Sequence, residues 1–564
     1  MLSRAMCAAY VLGWSTRAGR VLCTIFLIGM SFAACGEGAA DRTVARGGAP
    51  VLGGTLVVAS AIDLEHANPL ITTEGVTHDV LRSLLYMTLV RHGRDNGYEP
   101  WLAESWELEG DTGIVFHIRR DVRWHDGLPT TAHDVEFTYR LAKAPETGYP
   151  NASLFERWGE VEVLDSFTVR FRFEPHPDPL VGWPDFPILP RHHLAETSPA
   201  ALRQAGFNRS PVGNGPFRFV SVRSRDRWIF EANLDFPSAL GGRPLLDRVV
   251  WRVIPESSAQ INELLAGTVD LILAPSPAQL RDLSARPGLR AIVRPSRKYQ
   301  FIGWNGLRPP LGDPKVRLAL TLALNRGEIL AALRGGYGEL AVGPLYPGHW
   351  AFLDTLTPVP YDPAAARRLL AEAGWSDRDG DGVLEDDGGR ELRITLSLPA
   401  ENEYNRNVAE KIRSDLAEVG VRVAPRPLDF ATLVADAVSP ERRFEAVLLA
   451  WEADPRPTSL RDLFHSSAIG GPFQLASYRN AEVDRLLDEA SRARTPESAL
   501  PPLHGVQRIL REEQPWTFLF YTPDLYIVSE RVQGIEMDVQ SAFQSLPHWW
   551  KTSGSPDWIA RNDG

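Results

Sequence analysis

The chain has 564 residues, with 60 basic and 71 acidic side chains and a formal net charge of −11. That length exceeds what one hydrophobic core fills, so two or three lobes are expected. The acidic surface repels phosphate backbones and argues against nucleic acid as a partner.

The first element is an apolar run, Val21 to Cys35, preceded by Arg4, Arg17 and Arg20 and by no acidic residue. It is too short to span a bilayer comfortably and ends in small residues, so it reads as an export signal. Phe32-Ala33-Ala34-Cys35 resembles the end of a bacterial lipoprotein signal, whose cysteine becomes the acylated amino terminus. Phe32 stands where Leu is usual, which leaves cleavage with release, or retention as an uncleaved anchor, as alternatives to lipidation at Cys35. Cys7, Cys23 and Cys35 are the only cysteines, so no disulfide or Cys-ligated metal is expected downstream. Loss of residues 1–34 leaves 57 basic against 71 acidic residues, a net of about −14. Gly36 to Ala49 is rich in Gly and Ala and reads as a flexible tether.

Gly53 to Ser60 reads as a strand and Val76 to Thr88 as a helix. From Glu99 to about Arg191 come short amphipathic strands, such as Ile114 to Arg119 and Thr168 to Phe173, with a helix over Ala132 to Lys143. Pro211 to Pro216 breaks the chain before strands resume. Arg248 to Ile254, a helix through Leu265 and Val269 to Leu273 suggest a parallel crossover. The last third repeats that grammar: a helix over Asp362 to Ala373, a strand at Leu392 to Leu398, a helix over Asn405 to Val419, and strands at Val421 to Pro425 and Glu445 to Trp451. Val408, Ile412, Leu416 and Val419 share one helical face that should pack on a sheet. Arg294 to Asn305 and Trp516 to Tyr526 are extended, aromatic-rich segments placed where the chain would cross between lobes, so they are the hinge candidates.

Four pieces carry a family signal in order: Leu102 to Trp106, Phe116 to Arg119, Trp124-His125-Asp126-Gly127, and Thr131 to Val135. Pro211 to Phe217, Trp304-Asn305 with Pro309 to Leu311, Val316 to Leu320 with Asn325-Arg326, and Tyr478 to Asp484 extend it. From about Gly53 to Trp550 the chain resembles the family 5, or cluster C, extracytoplasmic solute-binding proteins of peptide and nickel ABC importers. The resemblance implies an α/β fold, a class II periplasmic binding protein with two α/β lobes, a hinge and a β-rich module inserted in the first lobe. Residues 1–34 would be the signal peptide and 35–52 the lipid-anchored tether. Lobe I would comprise 53–88, 213–300 and 525–560, the module 89–212, and lobe II 301–524.

The implied role is capture of a small solute, a peptide by preference, in an interlobe cleft and its delivery to a membrane permease. The protein would be an extracytoplasmic, membrane-anchored monomer that uses no cofactor and has no catalytic residue. In peptide-binding members an Asp after a lobe II strand receives the peptide's ammonium, and Ala450 to Asp454 resembles that stretch, so Asp454 is the leading site residue. Trp451 and Glu452 beside it, with Phe301 and Trp304, complete the candidate wall, although aromatic residues at such places as often fill a core. Arg456 could instead neutralise Asp454 or Glu452 in a surface ion pair. Two rival functions are an exported hydrolase working through the paired carboxylates Glu452 and Asp454, and a sensor that reports occupancy to a membrane receptor.

Other motifs are read as structural. Asp377, Asp379 and Asp381 imitate the start of a calcium loop, but its twelfth position is Gly388 and not Glu, which favours a polar hairpin over a metal site. His117, His125 and His133 recur every eight residues without a ligand grouping. No G-x-S-x-G elbow or phosphate loop occurs.

Overall fold

The computed structural model describes residues 49–552 except 73–74, 94–96, 151, 156, 176–185, 401–402, 455 and 457–458. The leader and Cys35 lie outside the described residues. Two large mixed sheets organise the chain. The first has seven strands, and Thr55–Ser60 lies inside it with all six residues buried. That strand runs parallel to Arg248–Val253 on one side and Leu271–Leu273 on the other. Helix Ser257–Ala266 makes the crossover between these two and stops where Gly267 takes φ 75°, a left-handed conformation that glycine adopts without a Cβ clash. A run such as Thr-Leu-Val-Val-Ala-Ser suits a central strand because both of its faces are covered.

The second sheet has six strands, ordered Glu339–Leu340, Trp516–Tyr521, Lys298–Trp304, Ala446–Glu452, Arg393–Pro399 and Arg422–Leu428. Helix Glu403–Ala417 connects the last two, which are parallel, and buries Val408, Ile412 and Leu416, with Val419 buried in the turn beyond it. The 3.6-residue period of those side chains is the reason the segment lies on the sheet. Helix Pro363–Glu372 starts where Asp362 accepts a hydrogen bond from Ala365 N at 2.8 Å, with proline in the first turn.

A smaller antiparallel sheet, ordered Ala103–Leu108, Gly113–Ile118, Thr168–Phe173 and Trp158–Asp165, packs with helix Ala132–Lys143. Its Phe116, Phe171 and Tyr139 belong to one apolar cluster with Leu56, Val58 and Trp251 of the first sheet. Module and first sheet therefore share a core.

The helix expected over Val76 to Thr88 ends early. It runs as Gly75–Val80, widens over Leu81–Leu85 and turns extended at Tyr86. The cause is the Pro211 to Pro216 turn, which docks against this helix end. Asn214 N and Gly215 N both donate to Leu85 O, at 3.0 and 2.9 Å, and Asn214 Oδ1 accepts from Met87 N at 2.9 Å. A Cβ on Gly213 would sit 2.0 Å from Leu85 O, so only glycine permits the approach. On its other side the turn holds the Trp-His-Asp-Gly motif, since His125 N donates to Gly213 O at 2.8 Å and His125 Nε2 lies 3.0 Å from Gly215 O.

The chain crosses between the two large sheets twice, between Arg294 and Lys298 and between Tyr521 and Asp524. Each crossing leaves one strand and enters another within two or three residues. The two are tied together: Thr522 N donates to Lys298 O at 2.9 Å and Ser296 Oγ to Thr522 O at 2.7 Å. Asp524 receives Arg294 Nη1 at 2.6 Å and Lys298 Nζ at 3.0 Å. Both crossings lie within the segments expected to form the hinge.

Candidate functional site

Strand Ala446–Glu452 ends beside the first crossing, where Glu452 pairs with Lys298 and Trp451 with Tyr299 in an antiparallel register. Ala453 N donates to Arg297 O at 2.9 Å and so fixes the chain leaving the strand. Glu452 Oε1 accepts from Arg297 Nη2 at 2.7 Å. Asp454 is clasped by one residue: Arg456 donates its backbone N and its Nε, each at 2.8 Å, to Oδ1, and its Nη2 at 2.5 Å to Oδ2. Arg297, Glu452, Asp454 and Arg456 thus form two adjacent ion pairs with no net charge.

Burial pushes the Asp454 carboxyl up, and the Arg456 hydrogen bonds and charge, helped by Arg297, outweigh that and hold it below the ordinary carboxylate range. The converse holds for Arg456, where burial acts to release the proton and Asp454 retains it. With side-chain exposures of 28 % and 20 % the pair is partly shielded, so charge-assisted bonding is stronger there than on an open surface.

The aromatic residues divide by face. Trp451 is half-buried and meets Phe473 edge-on at 5.6 Å. Phe301 is fully buried and stacks on Trp516 at 4.0 Å, and Trp304 is buried on the opposite face with Nε1 donating to Thr517 Oγ1 at 2.9 Å. These two belong to the core of the second sheet; the strand alternation that puts them on opposite faces prevents both from lining one surface. Trp451, Glu452 and Asp454 are brought together as expected of neighbours in sequence.

Sequence reasoning missed Arg297, although it lies inside a hinge segment, and Tyr346. Burial raises the Tyr346 hydroxyl, against the Arg297 charge and a hydrogen bond with Gln540. Tyr346 belongs to the second core, whereas Gln540 follows the return to the first sheet, so this contact bridges the two. Another bridge is Arg494 to Asp111 of the module, at 3.2 Å. The Asp377 to Asp381 hairpin also gathers Glu385, so that four carboxylates each offer an oxygen within 4.8 Å of the others.

The family model for bacterial extracellular solute-binding proteins, family 5, matches residues 97–472. The chain belongs to that family. It is 29% identical over 539 residues to the oligopeptide-binding protein AppA of Bacillus subtilis, covering 94% of this chain and 98% of that protein. It is 29% identical over 499 residues to heme-binding protein A of Haemophilus influenzae, covering 84% and 88%. The solved structure of AppA from Bacillus subtilis in complex with a nonapeptide superposes with a TM-score of 0.74 at 29% identity, covering 89% of this chain and all of that one. The two-sheet, two-crossing architecture with its inserted module is therefore that of a family 5 periplasmic binding protein. Among the described residues no helix is long and apolar enough to cross a membrane.

Proposed function

We propose that this solute-binding protein is the substrate-binding component of an ABC importer, which takes up peptides or similar small solutes between its lobes and delivers them to a membrane permease. The observation that carries the reading is the tied double crossing between two sheets, combined with a match along 98% of a relative named for oligopeptide binding. Two connections permit one lobe to rotate on the other, and a solute that touches both lobes only when they are shut favours closure through its differential affinity. Asp454 receives the amino terminus of the solute after Arg456 turns aside, Trp451 and Glu452 flank it, and the extended peptide pairs through its main chain. The protein is held outside the cytoplasm by acylation at Cys35, works as a monomer and needs no cofactor.

The paired-carboxylate hydrolase is disfavoured by the same geometry. Such chemistry requires one carboxyl to keep its proton near neutrality, and Asp454 is shifted in the other direction while Glu452 is bound to Arg297. Native mass spectrometry of the purified protein, followed by calorimetry with peptides of defined length, tests the reading. A retained or titrated peptide released unchanged supports it; cleavage of the peptide, or no binding across the length series, rejects it.

A further inference from the structure

The turn that carries Asp126 and the short helix Arg191–Leu194 bring three metal-ligating side chains together on the inserted module. His192 Nε2 lies 2.7 Å, and His193 Nε2 3.0 Å, from the same oxygen, Asp126 Oδ2. All three ligating atoms fall within 4.8 Å of one another. We propose that Asp126, His192 and His193 form a binding site for a divalent transition-metal ion of the zinc class, with water completing the coordination. Two imidazoles and one carboxylate are a donor set suited to such an ion and unsuited to calcium or magnesium.

Three features argue for a built site over a chance meeting of polar side chains. Asp126 is oriented from behind, because its Oδ1 accepts from Leu128 N at 3.2 Å and leaves Oδ2 facing the rings. Each imidazole rests on an aromatic neighbour, His192 edge-on to Trp124 at 6.1 Å and His193 against Phe207 at 6.2 Å. The backbone beneath both segments is pinned: Asp134 Oδ1 accepts from Arg191 N at 2.9 Å, and His125 is fastened to Gly213 and Gly215. Fixed ligand orientation of this kind raises metal affinity by removing the ordering cost. Side-chain exposures of 28 % for His192, 40 % for His193 and 31 % for Asp126 leave a path for entry.

In the metal-free form both Nε2 atoms can donate to one carboxylate oxygen. With an ion at the convergence point each Nε2 offers its lone pair, and the ring proton resides on Nδ1. No net proton is needed when the rings are neutral.

Co2+ is the probe, added to the chelator-treated full-length chain. One Co2+ per chain is expected, with visible d–d absorption that Zn2+ abolishes by displacement, and at least a tenfold weaker affinity in His193→Ala and in Asp126→Asn. His193→Gln serves if the alanine variant unfolds, with melting curves taken before metal is added. X-ray absorption of the zinc-loaded protein should show imidazole scattering and nitrogen at about 2.0–2.1 Å. A stoichiometry near zero, variants that bind as the parent does, or a zinc shell without imidazole would each overturn the proposal.

Discussion

Arg456 engages both carboxylate oxygens of Asp454 through three of its nitrogens, so the residue expected to greet a solute's ammonium already has a cationic partner two positions along the chain. On the proposed role, binding at this carboxylate would be an exchange of cations, and removing Arg456 should change affinity and stability in opposite directions.

Arg456→Ala is expected to tighten binding of a peptide with a free amino terminus by about tenfold and to destabilise the unliganded protein by about 1–3 kcal/mol, since a partly buried carboxylate loses its partner. Asp454→Asn should weaken the same peptide by tenfold or more and leave an amino-acetylated peptide unaffected. Calorimetry with the two peptides decides; equal effects on both would remove Asp454 from the site.

The pair also predicts a pH dependence. Arg456 holds the folded Asp454 carboxyl below the ordinary 3.8 of an unfolded aspartate, so its stabilising contribution is complete above that value and disappears as pH falls through the lower folded value. Melting curves of the parent and Asp454→Asn should differ at pH 7 and draw together as acid protonates the carboxylate. A gap that persists in acid would mean that shape, and not charge, makes the difference.

At the hinge, Asp524→Asn leaves Arg294 and Lys298 without their shared carboxylate and with one acceptor oxygen in place of two. A loss of about 1–3 kcal/mol is expected from the severed charge-assisted bonds, measured by denaturant unfolding. Solution scattering with and without peptide should show a smaller change in radius for the variant than for the parent.

Gly213→Ala should cost about 3 kcal/mol or more, because its Cβ meets the Leu85 carbonyl and neither backbone can yield cheaply. Gly127, at φ 93° with nothing within 4 Å of its Cβ position, provides the contrast: Gly127→Ala should cost only about 1 kcal/mol of backbone strain. Equal denaturation midpoints for the two would refute the docking account of the turn.

Phe301→Ala and Trp304→Ala should each lower stability by about 3–5 kcal/mol, as expected for emptying a packed aromatic site. Unfolding in guanidinium measures it. A loss below about 1 kcal/mol at either position would contradict its burial.

The periodic parts of the fold were readable in the residues. Helix Ala132–Lys143 is found with its expected bounds, and the Val408, Ile412 and Leu416 face lies on a sheet, because alternation and 3.6-residue spacing record burial directly. The helical spacing of Val76 to Thr88 runs past the true helix end, since what stops the helix is a turn more than 120 residues later and no local signal announces that contact. The depth of Phe301 and Trp304 was hidden for a related reason: an aromatic residue on a strand looks the same in sequence whether it lines a pocket or fills a core. The adjacent histidines at 192 and 193 passed unnoticed because their carboxylate partner stands 66 and 67 positions earlier.

The hydrogen bond between Thr522 and Lys298 does more than steady two short linkers. Two threads left separate would let one half of the molecule twist, slide or bend against the other. Stitched together by two hydrogen bonds and a shared Asp524, they form one connection instead of two. On the proposed role, closure over a solute would turn the lobes about that one connection.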